Sequence, residues 1–587
     1  MLPFLLLRSG PRSLFSHWFF RFLAFCIDNN TSPSIQNTPQ TQGSLLLLPP
    51  PLHDTHSAMT TRLDVEKESS LADDEYGAHV VRSDTELEKD GGNLVLQVED
   101  AAAAGLKTAK DGRTILVPQP SDDPRDPLNW PEWKKHAILI IVALAAFGGD
   151  FQSGAGIPLL LSQGEEWGLS PAKVNEAGNL NVLLLGIGGL VWIPPLYFWG
   201  RLPVLFWTQL IGTFMVLGSV LVQDFNAYYA LRPLTSLFLT AGQTIGLTFV
   251  KDMFYFHEHA RKIGLWVVIF LCSPYCGPFF GGFIVSGLNG AWRPVLWVVF
   301  AWSCFVLLLV IFLADETWYD RSLSVQPERP TGVYGRFCNL VGITGIRQRA
   351  YKPNAFPSIM RLFEVFTKPT LWMVFVVYAL SFMWAVGINI TSSIILATPK
   401  VAGGYGLTLK QTSVVYLTPL VALILGEGIG HVANDWIANR YVRKHNGVFK
   451  PECRLYIFPF ASILMIAGLV LVGQALAKGL SVGAIVVGWG GYVLGVMVSS
   501  VAITAYILDV FPSASGEVSA AVNLSRTISG FSVGYFQAPW GEAVGYDVSF
   551  GIQAAIVAFA MGLVFVLIAV GERIRKFGGP LHFAKHQ

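Results

Sequence analysis

A chain of 587 residues that is 52% hydrophobic, only 14% charged and +0.49 in mean hydropathy cannot fold in water without exposing very large apolar patches, so a water-soluble globule is excluded. The net charge of +2 gives no reason to invoke nucleic acid. The six cysteines are scattered, with spacings that suggest neither a disulfide framework nor a metal site, and they read as packing residues.

Residues 1–132 mix Pro, Ser, Asp and Glu without a sustained helical period, which predicts a disordered cytoplasmic tail. Its first part differs from the acidic stretch after Met59: Leu45 to Leu48 run into Pro49 to Pro51, and Trp18, Phe19 and Phe20 are consecutive. A cleaved targeting segment and an alternative start at Met59 both account for this, so the presence of residues 1–58 in the mature protein stays open.

Between Trp133 and Glu572 lie about twelve apolar stretches, each near the roughly 20 residues needed to cross about 30 Å of hydrocarbon. The predicted spans are 135–157, 177–198, 203–222, 228–250, 262–286, 292–314, 370–392, 411–437, 455–477, 482–507, 516–538 and 547–570. The expected organisation is a six-helix bundle over 133–314, a cytoplasmic central loop over 315–369, a second six-helix bundle over 370–571 and a short cytoplasmic tail over 572–587. Lys and Arg concentrate on one set of connections: Arg201, Lys251, Arg261, the central loop, Arg440, Arg443 and Arg454. The positive-inside rule therefore predicts both termini and the central loop in the cytoplasm.

Several local motifs accompany this layout. The fifth span contains Ser273-Pro274-Tyr275-Cys276-Gly277-Pro278-Phe279-Phe280-Gly281-Gly282, and Asp126-Pro127-Leu128-Asn129-Trp130, Gly200-Arg201 and Asp315-Glu316-Thr317 flank other spans. The second half adds Gly426-Glu427-Gly428, Asn446-Gly447-Val448-Phe449, Pro451-Glu452-Cys453-Arg454-Leu455 and Asp509-Val510-Phe511-Pro512. Together these resemble the major facilitator superfamily, in particular its fungal twelve-span drug:proton antiporter-like group, over about residues 125–572. The resemblance implies an all-α membrane protein of two six-helix bundles. It identifies Gly277, Pro278, Gly281 and Gly282 with the family's fifth-helix antiporter motif, although Ser273 stands where a glycine is usual. Pro278 should bend the helix and the glycines should clear a face for a neighbour. A departure lies between spans two and three, where Tyr197 occupies the place of the family's usual aspartate before Gly200-Arg201, which puts the charge lock of that motif in doubt. Gating at the cytoplasmic face is expected from Arg201, Asp435 and Arg440.

Charges inside spans point to a pathway, because each costs roughly 2.5–3.5 kcal/mol at the bilayer centre on the most lenient scale. Asp150 in span one and Arg232 in span four fall at similar depth, and an arginine in span four is associated in the family with proton coupling; the two are expected to pair. The alternative is that both are merely solvated or anchored near the headgroups. Glu427 in span eight is a second proton-coupling candidate, since burial favours the neutral acid and Gly426 and Gly428 leave room around it. It either pairs with Arg526 of span eleven or carries the proton while Arg526 meets substrate. Asn389, Tyr506 and Asn523 are candidates for the same cavity.

No Gly-x-x-x-x-Gly-Lys-Ser/Thr loop occurs, and no metal triad or nucleophile constellation is apparent, so neither an enzyme, a cofactor nor a metal is expected. The expectation is a monomeric secondary transporter in the plasma membrane, exporting a small organic compound by alternating access with proton coupling. An importer of organic cations such as polyamines and a non-transporting membrane sensor are the other readings.

Overall fold

The computed structural model describes residues 107, 116, 118–321, 323, 326–330, 332–399, 404–445 and 449–581. Nearly all of the predicted tail, and Asn446 to Val448, lie outside these residues. The first half contains α1 (Glu132–Ala155), the short α2 (Leu160–Trp167), α3 (Pro171–Phe198), α4 (Arg201–Leu221), α5 (Phe225–Leu239), α6 (Ala241–Met253), α7 (Phe256–Gly287) and α8 (Arg293–Leu313). The central connection folds into α9 (Gly332–Val341), α10 (Ile343–Arg347) and α11 (Ala355–Phe366). The second half follows as α12 (Pro369–Ala397), α13 (Leu409–Val415), α14 (Leu417–Lys444), α15 (Phe458–Ala477), α16 (Val482–Val510), α17 (Ser515–Val544) and α18 (Tyr546–Gly578).

Eleven spans among the described residues are long and apolar enough to cross a membrane, with α5 and α6 forming one span that bends at Thr240. The remaining long helix, α17, has 30 residues and spans ~45 Å. It falls short in apolarity because it carries Glu517, Asn523 and Arg526, all turned into the protein. Outward faces are oily instead: Phe214, Phe312, Val432 and Phe559 are 60–74% exposed, a surface that suits lipid and not water. The first half packs around Ile138, Phe249 and Trp266, and the second around Trp384, Trp489 and Phe458 in a core that also takes in Leu247, Leu271 and Tyr275 of the first half.

Most of the flanking motifs act at the end of the bundle that carries the central connection, here termed the loop end. Asp126 caps the turn at Pro127–Asn129 and receives Arg321 at 2.8 Å. Burial alone would raise the Asp126 carboxyl, but the Arg321 guanidinium and two backbone amides outweigh it and hold the group below the usual carboxylate range. The Glu316 carboxylate accepts from the backbone amides of Arg201 and Leu202, so an acid sits on the N-terminus of α4, where the helix dipole favours it. Gly200, at φ +136°, makes this possible: a Cβ there would lie 2.6 Å from that carboxylate. In the second half Glu452 pairs with Arg575 at 2.9 Å, Arg454 pairs with Asp509 at 2.9 Å, and Lys368 Nζ donates to the carbonyls of Gly578, Gly579 and Pro580 at the end of α18.

The central connection is held by Lys352, whose Nζ donates to the Trp199 carbonyl at 3.0 Å, just past α3. Burial pushes the Lys352 amine down to about 8, only partly opposed by Glu316. The docked connection thus binds fewer protons than the undocked one between about 8 and the ordinary 10.5, and docking strengthens as pH rises through that window. Amide hydrogen exchange across residues 343–352, corrected for intrinsic rate, should slow from pH 8 to pH 10; acceleration over that range contradicts the assignment. Gly200→Ala is expected to destabilise the protein by ~1–3 kcal/mol through left-handed strain and displacement of Glu316, read as a lower midpoint of thermal unfolding in detergent.

Candidate functional site

Midway along the bundle, the Asp150 carboxylate of α1 accepts from Arg526 of α17 at 2.8 Å, with both side chains only 7% exposed. The contact joins the first half of the chain to the second. Gln243 of α6 completes a ring: its amide nitrogen donates to Asp150 at 3.1 Å and its oxygen accepts from Arg526 at 3.2 Å. Asn523, one helical turn before Arg526 on α17, accepts from it at 2.8 Å and so fixes the guanidinium plane. Phe270 of α7 and Phe382 of α12 lie 5.8 and 5.7 Å from that guanidinium. The ion pair therefore draws on five spans.

The expected Asp150–Arg232 pair does not form. Arg232 is buried at the same level, but its guanidinium donates to the backbone carbonyls of Gln152 at 2.7 Å and Ser153 at 3.2 Å. The reason is the end of α1 at Ala155, which leaves its last carbonyls without intrahelical partners, and Gly156, whose missing side chain gives Arg232 its place. Arg232 serves as a cap on α1, leaving Asp150 to Arg526.

Glu427 does not meet Arg526 either. One carboxylate oxygen contacts His431 Nε2 at 2.9 Å, one turn further along α14, and the other has no hydrogen-bond partner among the described residues. His431 fills the space left by Gly264 of α7, so this pair also lies between the halves. Tyr506 is a correction to the cavity set: it is fully buried near the loop end, with its hydroxyl beside Gly571, because it lies in the last two turns of α16, beyond the membrane midplane.

A narrow cavity of about 80 Å³ rises from Asp150 and Arg526 toward the far ends of α1 and α3, lined also by Arg232, Tyr275, Phe382 and Asn389. Asn523 lies beneath it, with its amide nitrogen on the Leu185 carbonyl at 3.3 Å. Leu271, Pro274 and Tyr275 of α7 form one wall, just ahead of Gly277, Pro278, Gly281 and Gly282 on the same helix. A Cβ on Gly277 would collide with the backbone of Gly154 and Ala155, Gly281 packs on Pro158, and Gly282 lets Ser413 of the second half approach. Pro278 has no amide to give the Pro274 carbonyl, and that oxygen instead accepts from Asn389 of α12 at 3.4 Å. A helix defect in one half thus becomes a contact with the other.

At the loop end the halves are sealed. Tyr197 of α3 donates its hydroxyl to Glu517 of α17 at 2.8 Å, and Glu517, fully buried, receives Arg361 of α11 at 3.1 Å. The Arg361 guanidinium also lies 4.3 Å from the Tyr197 ring. Lys251 reaches the Pro512 carbonyl across the same boundary. Tyr197 thus makes a hydrogen bond to the other half at the place where the absence of the usual aspartate puts a charge lock in doubt. Arg201 pairs with Asp252 at 3.1 Å, which Thr317 also contacts. Asp435 pairs with Arg454 at 3.2 Å and not with Arg440, which stacks over Trp436 of its own helix. Five residues on a helix place Arg440 roughly 140° around from Asp435, on another face.

Sequence reasoning missed Gln243, Glu517 and Arg361, and singled out Tyr197 without giving it a partner. Gln243 and Glu517 had a signal, as polar or charged groups within or at the edge of spans. Arg361 had none, because it lies in the central connection outside the spans and its partner is 156 positions away. Among the described residues, no three His, Cys, Asp or Glu side chains converge as a metal site requires.

Comparison with known proteins agrees with this architecture. The chain is 24% identical over 490 residues to the efflux pump radE of Floropilus chiversii, covering 81% of this chain and 88% of the pump. It is 23% identical over 495 residues to the major facilitator superfamily multidrug transporter mdrA of Aspergillus fumigatus, covering 83% and 79%. The crystal structure of the human organic anion transporter MFSD10 (TETRAN) superposes with a TM-score of 0.52 at 14% identity, over 74% of this chain and all of that one, a likeness of fold. The sequence profile of the Major Facilitator Superfamily matches residues 138–535, and the chain belongs to that family of membrane transporters.

Proposed function

We propose that this protein exports a small organic compound in exchange for protons, by rocking of its two halves about the Asp150–Arg526 contact. The observation that carries the reading is that this ion pair is buried, bridges the halves and floors the cavity. Removing one partner of a buried pair leaves the other charge unpaired, at a cost of about 3–5 kcal/mol. A proton reaching Asp150 removes its charge and releases Arg526, so the halves lose their central tie. A hydrogen-bond donor or cationic group on the solute would instead take the ionised Asp150 carboxylate in place of Arg526. Proton and solute compete for one contact, and each stabilises a different conformation, as exchange requires.

The cavity is too small for cargo as it stands, since sites for drug-sized molecules are about 300–1,000 Å³. With the loop end sealed as well, this is a closed state that must part to bind. The positive-inside pattern supports a cytoplasmic loop end, with Tyr197, Glu517 and Arg361 as the inner seal, and the resemblance to the fungal group makes the plasma membrane the proposed location. Export is supported by the names of the relatives radE and mdrA. Uptake of a polycation is disfavoured, because one acid, Asp150, faces two arginines, Arg232 and Arg526, in the cavity wall. Glu427 with His431 offers a second protonatable site between the halves.

The test is flux in proteoliposomes under an imposed pH gradient, using a compound drawn from an accumulation screen in cells. Asp150→Asn should lower gradient-driven flux at least about tenfold while solute–solute exchange persists, and the charge-swapped Asp150→Arg/Arg526→Asp protein should recover part of it. Gradient-driven flux left intact by both Asp150→Asn and Glu427→Gln sinks the reading. Tyr197→Phe removes a hydrogen bond to a charged acceptor, worth about 1.5–3 kcal/mol, and should raise inward opening roughly tenfold or more. The readout is maleimide labelling of Val386→Cys from the loop side, with the six native cysteines replaced.

A further inference from the structure

The helix α11 has two faces with different tasks. One turns Arg361 inward to Glu517. The other presents Phe356, Ile359, Met360 and Phe363, spaced i, i+3, i+4, i+7, and these are 39–69% exposed. A helix with such a face lies in a membrane interface more readily than in water.

Between this face and α3 runs an open groove of about 700 Å³, whose lining residues are all apolar, among them Ile187, Val191, Pro194 and Phe198 of α3 with Ile359 and Phe363 of α11. It is continuous with the lipid-facing surface, since Ile187 and Val191 belong to the outward side of a membrane span. From Ile187 to Phe198 it extends ~16 Å, the depth of one leaflet's hydrocarbon. Its loop end meets a basic segment: residues 332–367 hold Arg336, Arg347, Arg349, Lys352 and Arg361 against the single acid Glu364. Arg347 and Arg349 are exposed, and the turn that bears them rests on Trp199, the residue after the groove, through Gly345 and Lys352.

We propose that the groove binds one acyl chain of an anionic membrane phospholipid, with its phosphate held at Arg347 and Arg349. Depth, continuity with the bilayer and charge complementarity all favour this occupant. Because α11 is both a wall of the groove and the bearer of Arg361, an occupied groove braces the loop-end seal, and the composition of the adjoining leaflet reaches the gate through one helix.

The full-length protein, reconstituted in phosphatidylcholine vesicles containing a phosphatidylglycerol with a mid-chain diazirine, is irradiated and its crosslinks are mapped by mass spectrometry. Crosslinks should concentrate in residues 187–198 and 355–366, and unlabelled phosphatidylglycerol should suppress them more than added phosphatidylcholine does. Val191→Trp, which fills the groove from α3, and Ile359→Asn, which spoils it from α11, should each reduce them about tenfold. Arg347→Gln/Arg349→Gln should abolish the anionic preference while chain labelling persists. Labelling spread evenly over all spans overturns the proposal, as does labelling unchanged in monodisperse Val191→Trp and Ile359→Asn proteins. Displacement by transported compounds but not by phospholipid also overturns it, by marking a solute portal instead. A preference that survives the double arginine substitution overturns the phosphate assignment.

Discussion

A charge carried into lipid must find its opposite, and Asp150 finds Arg526 on the other half of the molecule. Within one half such a pair would be a static peg. Placed across the boundary between two bundles, it ties one to the other through a single carboxylate. Gln243 and Asn523 hold both partners in plane, so the contact is directional as well as strong. The cavity opens directly onto this tie.

The same scarcity of water explains how helix defects are satisfied. Every interrupted backbone bond needs a replacement within the protein. The Pro274 carbonyl, freed by Pro278, takes Asn389 from the opposite half, and the last carbonyls of α1 take Arg232. The seal at the loop end obeys a related rule. Glu517 is fully buried and remains acceptable because Tyr197 and Arg361 satisfy it from two sides. Tyr197 stands where the resemblance implies an aspartate, and its hydroxyl meets an acid on the facing helix instead.

The twelve-span pattern was legible because a bilayer imposes length and apolarity on each segment separately, without reference to any other. Even α17, too polar to meet a hydropathy threshold, was expected over 516–538 by composition and flanking charge, and the observed helix, Ser515–Val544, starts there and runs six residues further. The central connection was read as a plain loop, yet α11 was visible in principle through the spacing of Phe356, Ile359, Met360 and Phe363. Asp150, Arg232, Glu427 and Arg526 could be singled out as costly charges; their partners could not. Depth along a helix put Asp150 level with Arg232, but rotation about the helix axis turned them to different neighbours.

The amino-acid sequence alone determined the solvent of this protein, the number and order of its membrane segments, its family and the few intramembrane charges worth attention. Each of these follows from local composition and spacing. Only the tertiary structure decided that Asp150 meets Arg526, that Glu427 meets His431, that Tyr197 locks onto Glu517 and that Tyr506 lies away from the cavity. The three pairings depend on how helices rotate and pack, and two of them join residues more than 300 positions apart across the interface of the halves.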